Sequence, residues 1–147
     1  MKHLKNVKGF KNLEDLAETI LNLGYENLKI LFLFLAKKFE KDSNADNERG
    51  NLKLASNLYI LSKLISLAEF ILNSIVIQDP KNTKYSRDLK DLAEDIGDLD
   101  YKSLKKLFSL LVKKFKKNNE LFALSPLMLI VKMILSDISK IRPLKKN

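Results

Sequence analysis

The chain has 147 residues, 46% of them hydrophobic, with four Gly, three Pro, one His, no Cys and a formal charge of +9. The absence of cysteine excludes disulfides, thiolate metal sites and cysteine nucleophiles, and the scarcity of helix breakers in a chain rich in Leu, Lys, Ile, Asn and Phe points to an all-α fold. The charge is nearly all lysine, since arginine occurs only at Arg49, Arg87 and Arg142; a dedicated reader of phosphates or bases leans on the bidentate guanidinium instead.

Residues 1–11 are polar and basic, which reads as no signal peptide and, with the missing cysteines, as a cytoplasmic protein. The first predicted helix covers residues 12–23, with Leu13, Leu16, Ala17, Ile20 and Leu23 at helical spacing. Gly24 suits its C-terminal cap, because glycine tolerates positive φ. The second helix covers 26–41. Residues 42–51 read as a polar, solvated loop. Asp42, Asn44 and Asp46 resemble the start of a calcium loop, but Asn47 stands where that loop needs Gly and Lys53 where it needs a bidentate Glu. The third helix covers 52–77. Its apolar stretch, 58–77, is almost long enough for a membrane span, but Lys63 and Glu69 interrupt it; a buried central helix and no membrane span are expected. Residues 78–87 read as a linker with a proline.

The second half of the chain reuses the first. Residues 12–42 and 88–118, aligned 76 apart without gaps, are identical at 17 of 31 positions. Such self-similarity marks a duplicated supersecondary unit. Asp100 takes the place of Gly24 and can cap the next helix, 102–117. A weaker match at an offset of 69 sets residues 55–65 over 124–134, so the second copy has lost seven residues between its second and third helices. Ser125-Pro126 starts the last helix, 126–141, as a capping hydroxyl followed by a proline. The expected fold is therefore all-α: two tandem copies of a three-helix unit (1–77 and 88–147) in one compact, six-helix bundle-like domain with a pseudo-two-fold repeat. The copies are expected to pack through their third helices and the second helix of the first copy.

Candidate chemistry is sparse. Asp15 and Glu18 recur as Asp91 and Glu94, but helical carboxylate metal sites pair Glu with His, and the lone His3 lies outside both copies. Acids in a first helical turn also simply favour the helix dipole. No phosphate loop, zinc spacing or nucleophile-base pair is present. No catalytic residue, cofactor or metal is expected.

Binding surfaces are better marked. At about 100° per residue, Lys102, Lys105, Lys106, Lys113, Lys116 and Lys117 share a face roughly 120° wide, and the 1.5 Å helical rise makes it about 22 Å long. The first copy has Glu26, Ile30 and Glu40 on the matching face. The charge divides likewise: residues 1–76 hold 11 basic and 9 acidic groups, net +2, and residues 77–147 hold 16 and 9, net +7. Such a stripe is either a solvated face or a contact for phosphates or an acidic partner. No aromatic residue interleaves with it, so base stacking is not indicated. Conversely, Ile30 and Leu33 replace Lys106 and Ser109, and with Phe34 they make residues 30–36 apolar nearly all round. Such a helix needs cover from the second copy, a partner or another chain; the same holds for 127–135. Ile30 and Leu33 are expected to be buried, Lys106 and Ser109 exposed. The chain reads as a non-enzymatic interaction or adaptor module, binding a protein partner or itself through apolar helix faces. The alternative is a nucleic-acid-binding accessory protein that holds DNA or RNA non-specifically on the lysine face.

Overall fold

The structure, a computed structural model, describes residues 11–75 and 86–141. These form an all-α fold: α1 (Leu13–Leu21), α2 (Tyr25–Glu48), α3 (Leu52–Ile75), α4 (Ser86–Gly97), α5 (Tyr101–Lys116) and α6 (Ser125–Lys140), with a 3₁₀ turn at Phe122–Leu124. His3, Arg142, most of the expected linker and the last two residues of the expected third helix lie outside the described residues.

The starts of α1 and α5 follow from their caps. The Asn12 side chain accepts from the Asp15 N–H at 2.7 Å, and the Asp100 carboxylate accepts from the Ser103 N–H at 2.7 Å. Each satisfies one of the orphan donors of a first turn. Gly24 does adopt positive φ, at 87°, but as the N-cap residue of α2 rather than the C-cap of α1, which ends earlier at Leu21.

The polar segment after residue 41 is not a loop. α2 continues through it to Glu48. Ser43 and Asp46 follow Phe39 at spacings of four and seven, so they extend its buried stripe. Both are satisfied there: the Ser43 hydroxyl donates to the Ala55 carbonyl at 2.7 Å, and Asp46 accepts from Arg49 at 2.8 Å and from the Asn51 amide side chain at 3.3 Å. Gly50, at φ 83°, then ends the helix. Its N–H donates to the Asn47 carbonyl and that of Asn51 to the Asp46 carbonyl, the paired bonds of a Schellman cap. Calcium-loop geometry is thereby excluded for this segment.

Ser125 also departs from expectation. It lies inside α6 and makes no side-chain cap; its hydroxyl donates to the Val112 carbonyl of α5 at 3.0 Å. Ser62 of α3 does the same to the Ala36 carbonyl of α2 at 2.9 Å. Each bond ties a third helix to the second helix beside it and satisfies a buried hydroxyl. Ser56, set over Ser125 by the 69-residue offset, is exposed; that offset does not describe the packing of the third helices.

The core is one cluster drawn from all six helices, with Phe32, Phe39, Phe108 and Phe115 among its largest fully buried side chains. α2 packs on α3 and α5 on α6; α3 meets α6. The first helices depart from the expected self-contained units: α1 packs chiefly on α5, and α4 on α2. Ion pairs follow the same crossing. Lys38 of α2 reaches Asp98, just beyond α4, at 2.9 Å and Asp42 at 3.1 Å. Lys114 of α5 reaches Glu14 and Glu18 of α1 at 2.5 and 2.6 Å. Burial disfavours the charged form of Lys38, but Asp98 and Asp42 outweigh it and hold its pKa above the ordinary lysine value. Hydrogen bonds to Glu14 and Glu18 raise that of Lys114, and Lys114 in turn lowers that of Glu18. The Asp98, Glu14 and Glu18 ends of these pairs are well exposed, so solvent screens them and each adds little stability. Gly97 serves the same junction: a Cβ there would lie 2.4 Å from the Lys38 Cγ, so only glycine lets that lysine stem pass.

Candidate interaction surfaces

The lysine face forms as the periodicity predicts. α5 buries Tyr101, Leu104, Leu107, Phe108, Leu111 and Phe115. That turns Lys102, Lys106, Lys113, Lys116 and Lys117 into solvent, with Lys105 half-buried. None of the six forms an ion pair with a described residue. The face is thus a row of six ammonium groups without a carboxylate partner among the described residues, beside Lys114, which is committed to α1. A shallow cleft between α1 and α5, lined by Glu14, Leu21, Leu110, Lys113, Lys114 and Lys117, runs along one side of it. The matching face of α2 is chemically different. Glu26 is buried and pairs with Lys29 at 2.9 Å, and Lys29 also donates to Asn73 of α3 at 3.3 Å. Lys37, Glu40 and Lys41 are exposed there with mixed sign.

The apolar run 30–36 is covered only in part. Leu31, Phe32, Leu35 and Ala36 are buried, and Ile30 and Phe34 are partly buried against the core. Leu33 is 38% exposed, contrary to expectation, because the four buried neighbours already aim their sides at α3 and α4 and leave Leu33 pointing away. Lys106 is exposed as expected, but Ser109 is only half so. Ile30→Ala should therefore cost about 1–2 kcal/mol, below the ~2–5 of a fully buried aliphatic. Leu33→Ala and Lys106→Ala should stay within about 0.5 kcal/mol of the parent. Thermal or urea melts of the three variants check this ordering.

A larger apolar surface lies elsewhere. Leu33 is the single member of the exposed large hydrophobics on α2. The other ten among the described residues lie on α3, the turn before α6, and α6: Leu52, Tyr59, Ile60, Leu67, Phe70, Ile75, Phe122, Leu129, Ile130 and Met133. The expectation of a buried central third helix is corrected accordingly. Its inner side, Leu58, Leu61, Ile65, Ala68 and Leu72, is in the core, but its outer side is apolar and open. The start of α3 and the end of α6 line one cleft through Lys53, Asn57, Asp137 and Lys140, so the two helices run antiparallel. Lys63 crosses the outer face with its ammonium 4.9 Å from the Tyr59 ring centre, a cation–π contact. Leu52–Ile75 and Phe122–Lys140 are long and apolar enough to cross a membrane by length and composition, a test that core helices of soluble proteins also pass.

The sequence had flagged 127–135 as needing cover, and Lys63 and Glu69 as interruptions in the third helix. The signal it lacked was direction: an all-round apolar helix does not say which side stays open. Burial and then the Glu120 carboxylate push the Tyr25 hydroxyl up to about 12. Burial, with Asp46 and Asp42 nearby, raises the Tyr101 hydroxyl likewise. Among the described residues no three His, Asp or Glu side chains converge as metal ligands would. Comparison with known protein families, characterised proteins and solved structures finds no match to this chain.

Proposed function

We propose that the chain is a non-enzymatic helical interaction module that works through the outer face of α3 and α6. One observation carries this reading: ten of the eleven exposed large hydrophobics gather on those two helices and the turn between α5 and α6. Exposed apolar patches beyond a few hundred Å² mark interaction sites. The Ser43, Ser62 and Ser125 hydroxyls support the non-enzymatic part, because each is spent on holding one helix to the next.

The module itself reads as a duplicated three-helix unit whose first helices have changed places. Lys38 and Lys114, 76 apart, each reach across to the other copy, Lys38 to Asp98 just beyond its first helix and Lys114 to Glu14 within it. The hydroxyls of Ser62 and Ser125 meet carbonyls 76 apart, at Ala36 and Val112. That relates the third helices at an offset of 63, under which Tyr59, Leu67 and Phe70 correspond to Phe122, Ile130 and Met133, all exposed.

The test is to replace Leu67 and Ile130, 45% and 42% exposed, by serine together. Association of the parent protein with itself, with a hydrophobic dye or with lipid vesicles should be lost, while the intramolecular melt shifts little, as surface changes do. A parent that stays monomeric and binds neither dye nor vesicles would make the face inert and end this reading. The second reading, nucleic-acid binding on the α5 lysines, rests on the six ammonium groups that have no described carboxylate partner.

A further inference from the structure

We infer that the outer face of α3 and α6 docks a second copy of the same chain, so that the working unit is a homodimer with these four helices at its centre; this rests on the interaction-module reading. Three observations lead there.

The first is symmetry. A two-fold interface uses one patch on both subunits, so the patch has to be self-complementary. α3 and α6 are adjacent and antiparallel, and they expose matching apolar side chains 63 apart: Tyr59 with Phe122, Leu67 with Ile130, Phe70 with Met133. Because apolar side chains are exposed on both helices, a second copy related by a two-fold sets apolar residues against apolar residues from α3 through to α6.

The second is area. Ten large apolar side chains between 38% and 64% exposed present on the order of 900 Å². Summed over the ten, that is of the order of the ~800 Å² per partner of a stable interface. Pairing two copies would place α3 and α6 inside a four-helix layer and cover the large apolar residues of their open sides.

The third is charge and polarity. The chain is strongly basic; six lysines without a described ion-pair partner lie on α5, and the apolar face carries few charges of mixed sign: Lys53, Lys63, Asp137 and Lys140. Repulsion between distant lysines is screened beyond a Debye length of about 10 Å. A hydrocarbon layer suits this face less well than protein does. Ser56 and Asp137 are exposed on it, and such groups need hydrogen-bond partners that lipid chains lack.

Sedimentation equilibrium of the full chain tests the inference. The parent should run at twice its 16.9 kDa, with a dissociation constant at or below about 1 μM, and should stay dimeric in high salt because the contact is apolar. Phe70→Glu and Met133→Glu, at 64% and 57% exposure, should each weaken association at least about 100-fold with the helical circular dichroism retained. Should either charge disturb folding, the milder Phe70→Ser reports instead. Leu33→Glu, off this face, should leave the dimer intact. A parent that is monomeric at about 100 μM overturns the inference. If that monomer binds phosphatidylserine-containing vesicles through Phe70 and Met133, the face serves a membrane and the interaction-module reading survives; if it binds neither vesicles nor dye, both fail.

Discussion

Phe39→Ala and Phe115→Ala should each destabilise the entire molecule by about 3–5 kcal/mol, the range for deleting a buried phenyl ring. Both rings are 0% exposed, so little of the loss is recovered by solvent. The informative part is where the damage spreads. Were the halves separate units, Phe39→Ala would melt only the first. In this fold α4 packs on α2 and α1 on α5, so no half keeps its core when the other opens. Both variants should therefore show one urea transition with the parent's slope and a lower midpoint. Amide exchange should speed up together in α2, α3, α5 and α6. Faster exchange confined to the half that carries the substitution would refute the crossed packing as an energetic fact. A domain of this size holds about 5–15 kcal/mol in all, so either variant consumes a large part of that margin.

Reversing Lys105, Lys106 and Lys113 to glutamate should abolish any retention of DNA or RNA at about 50 mM salt, where non-specific binding is strongest. Helicity and melting should barely change, since these side chains have no described ion-pair partner to lose. Replacing the same three lysines by glutamine, which removes the contacts without adding repulsion, should leave weaker binding and flatten the dependence of log K on log salt by about 3 on duplex DNA, near 0.9 per contact. Binding should be insensitive to sequence, because an ammonium group supplies charge without a fixed donor pattern for base edges. The control belongs on Lys37 and Lys41, which are exposed. Lys29 is unsuitable, because it pairs with the buried Glu26 and donates to Asn73, and reversing it would strand a buried carboxylate. A parent chain that fails to bind either nucleic acid at this salt makes the stripe a solvated face and leaves the apolar surface as the binding feature among the described residues.

Local structure was legible in the residues themselves. The helices from Asn12 and from Asp100 start where their side chains cap them, and the lysine face of α5 follows from the 3.6-residue period alone. These features depend on contacts within four residues, which sequence spacing specifies directly. The polar stretch after residue 41 was harder. Its composition suggested solvent, but Ser43 and Asp46 find partners on Ala55, Arg49 and Asn51, some only after the chain has turned back. Which helix covers which was not legible at all. Periodicity says that a side is apolar, and it does not say whether α5 or α2 lies against α1. That choice rests on shape and on long-range pairs such as Lys114 with Glu14 and Glu18. The third helices show the same division at its widest. Their large apolar residues fall on more than one side, broken only by scattered polar groups such as Lys63, Glu69 and Lys132, so amphipathic spacing gives little direction, and the tertiary packing decides that Leu58, Ile65 and Leu72 face the core while Phe70 and Leu67 face out.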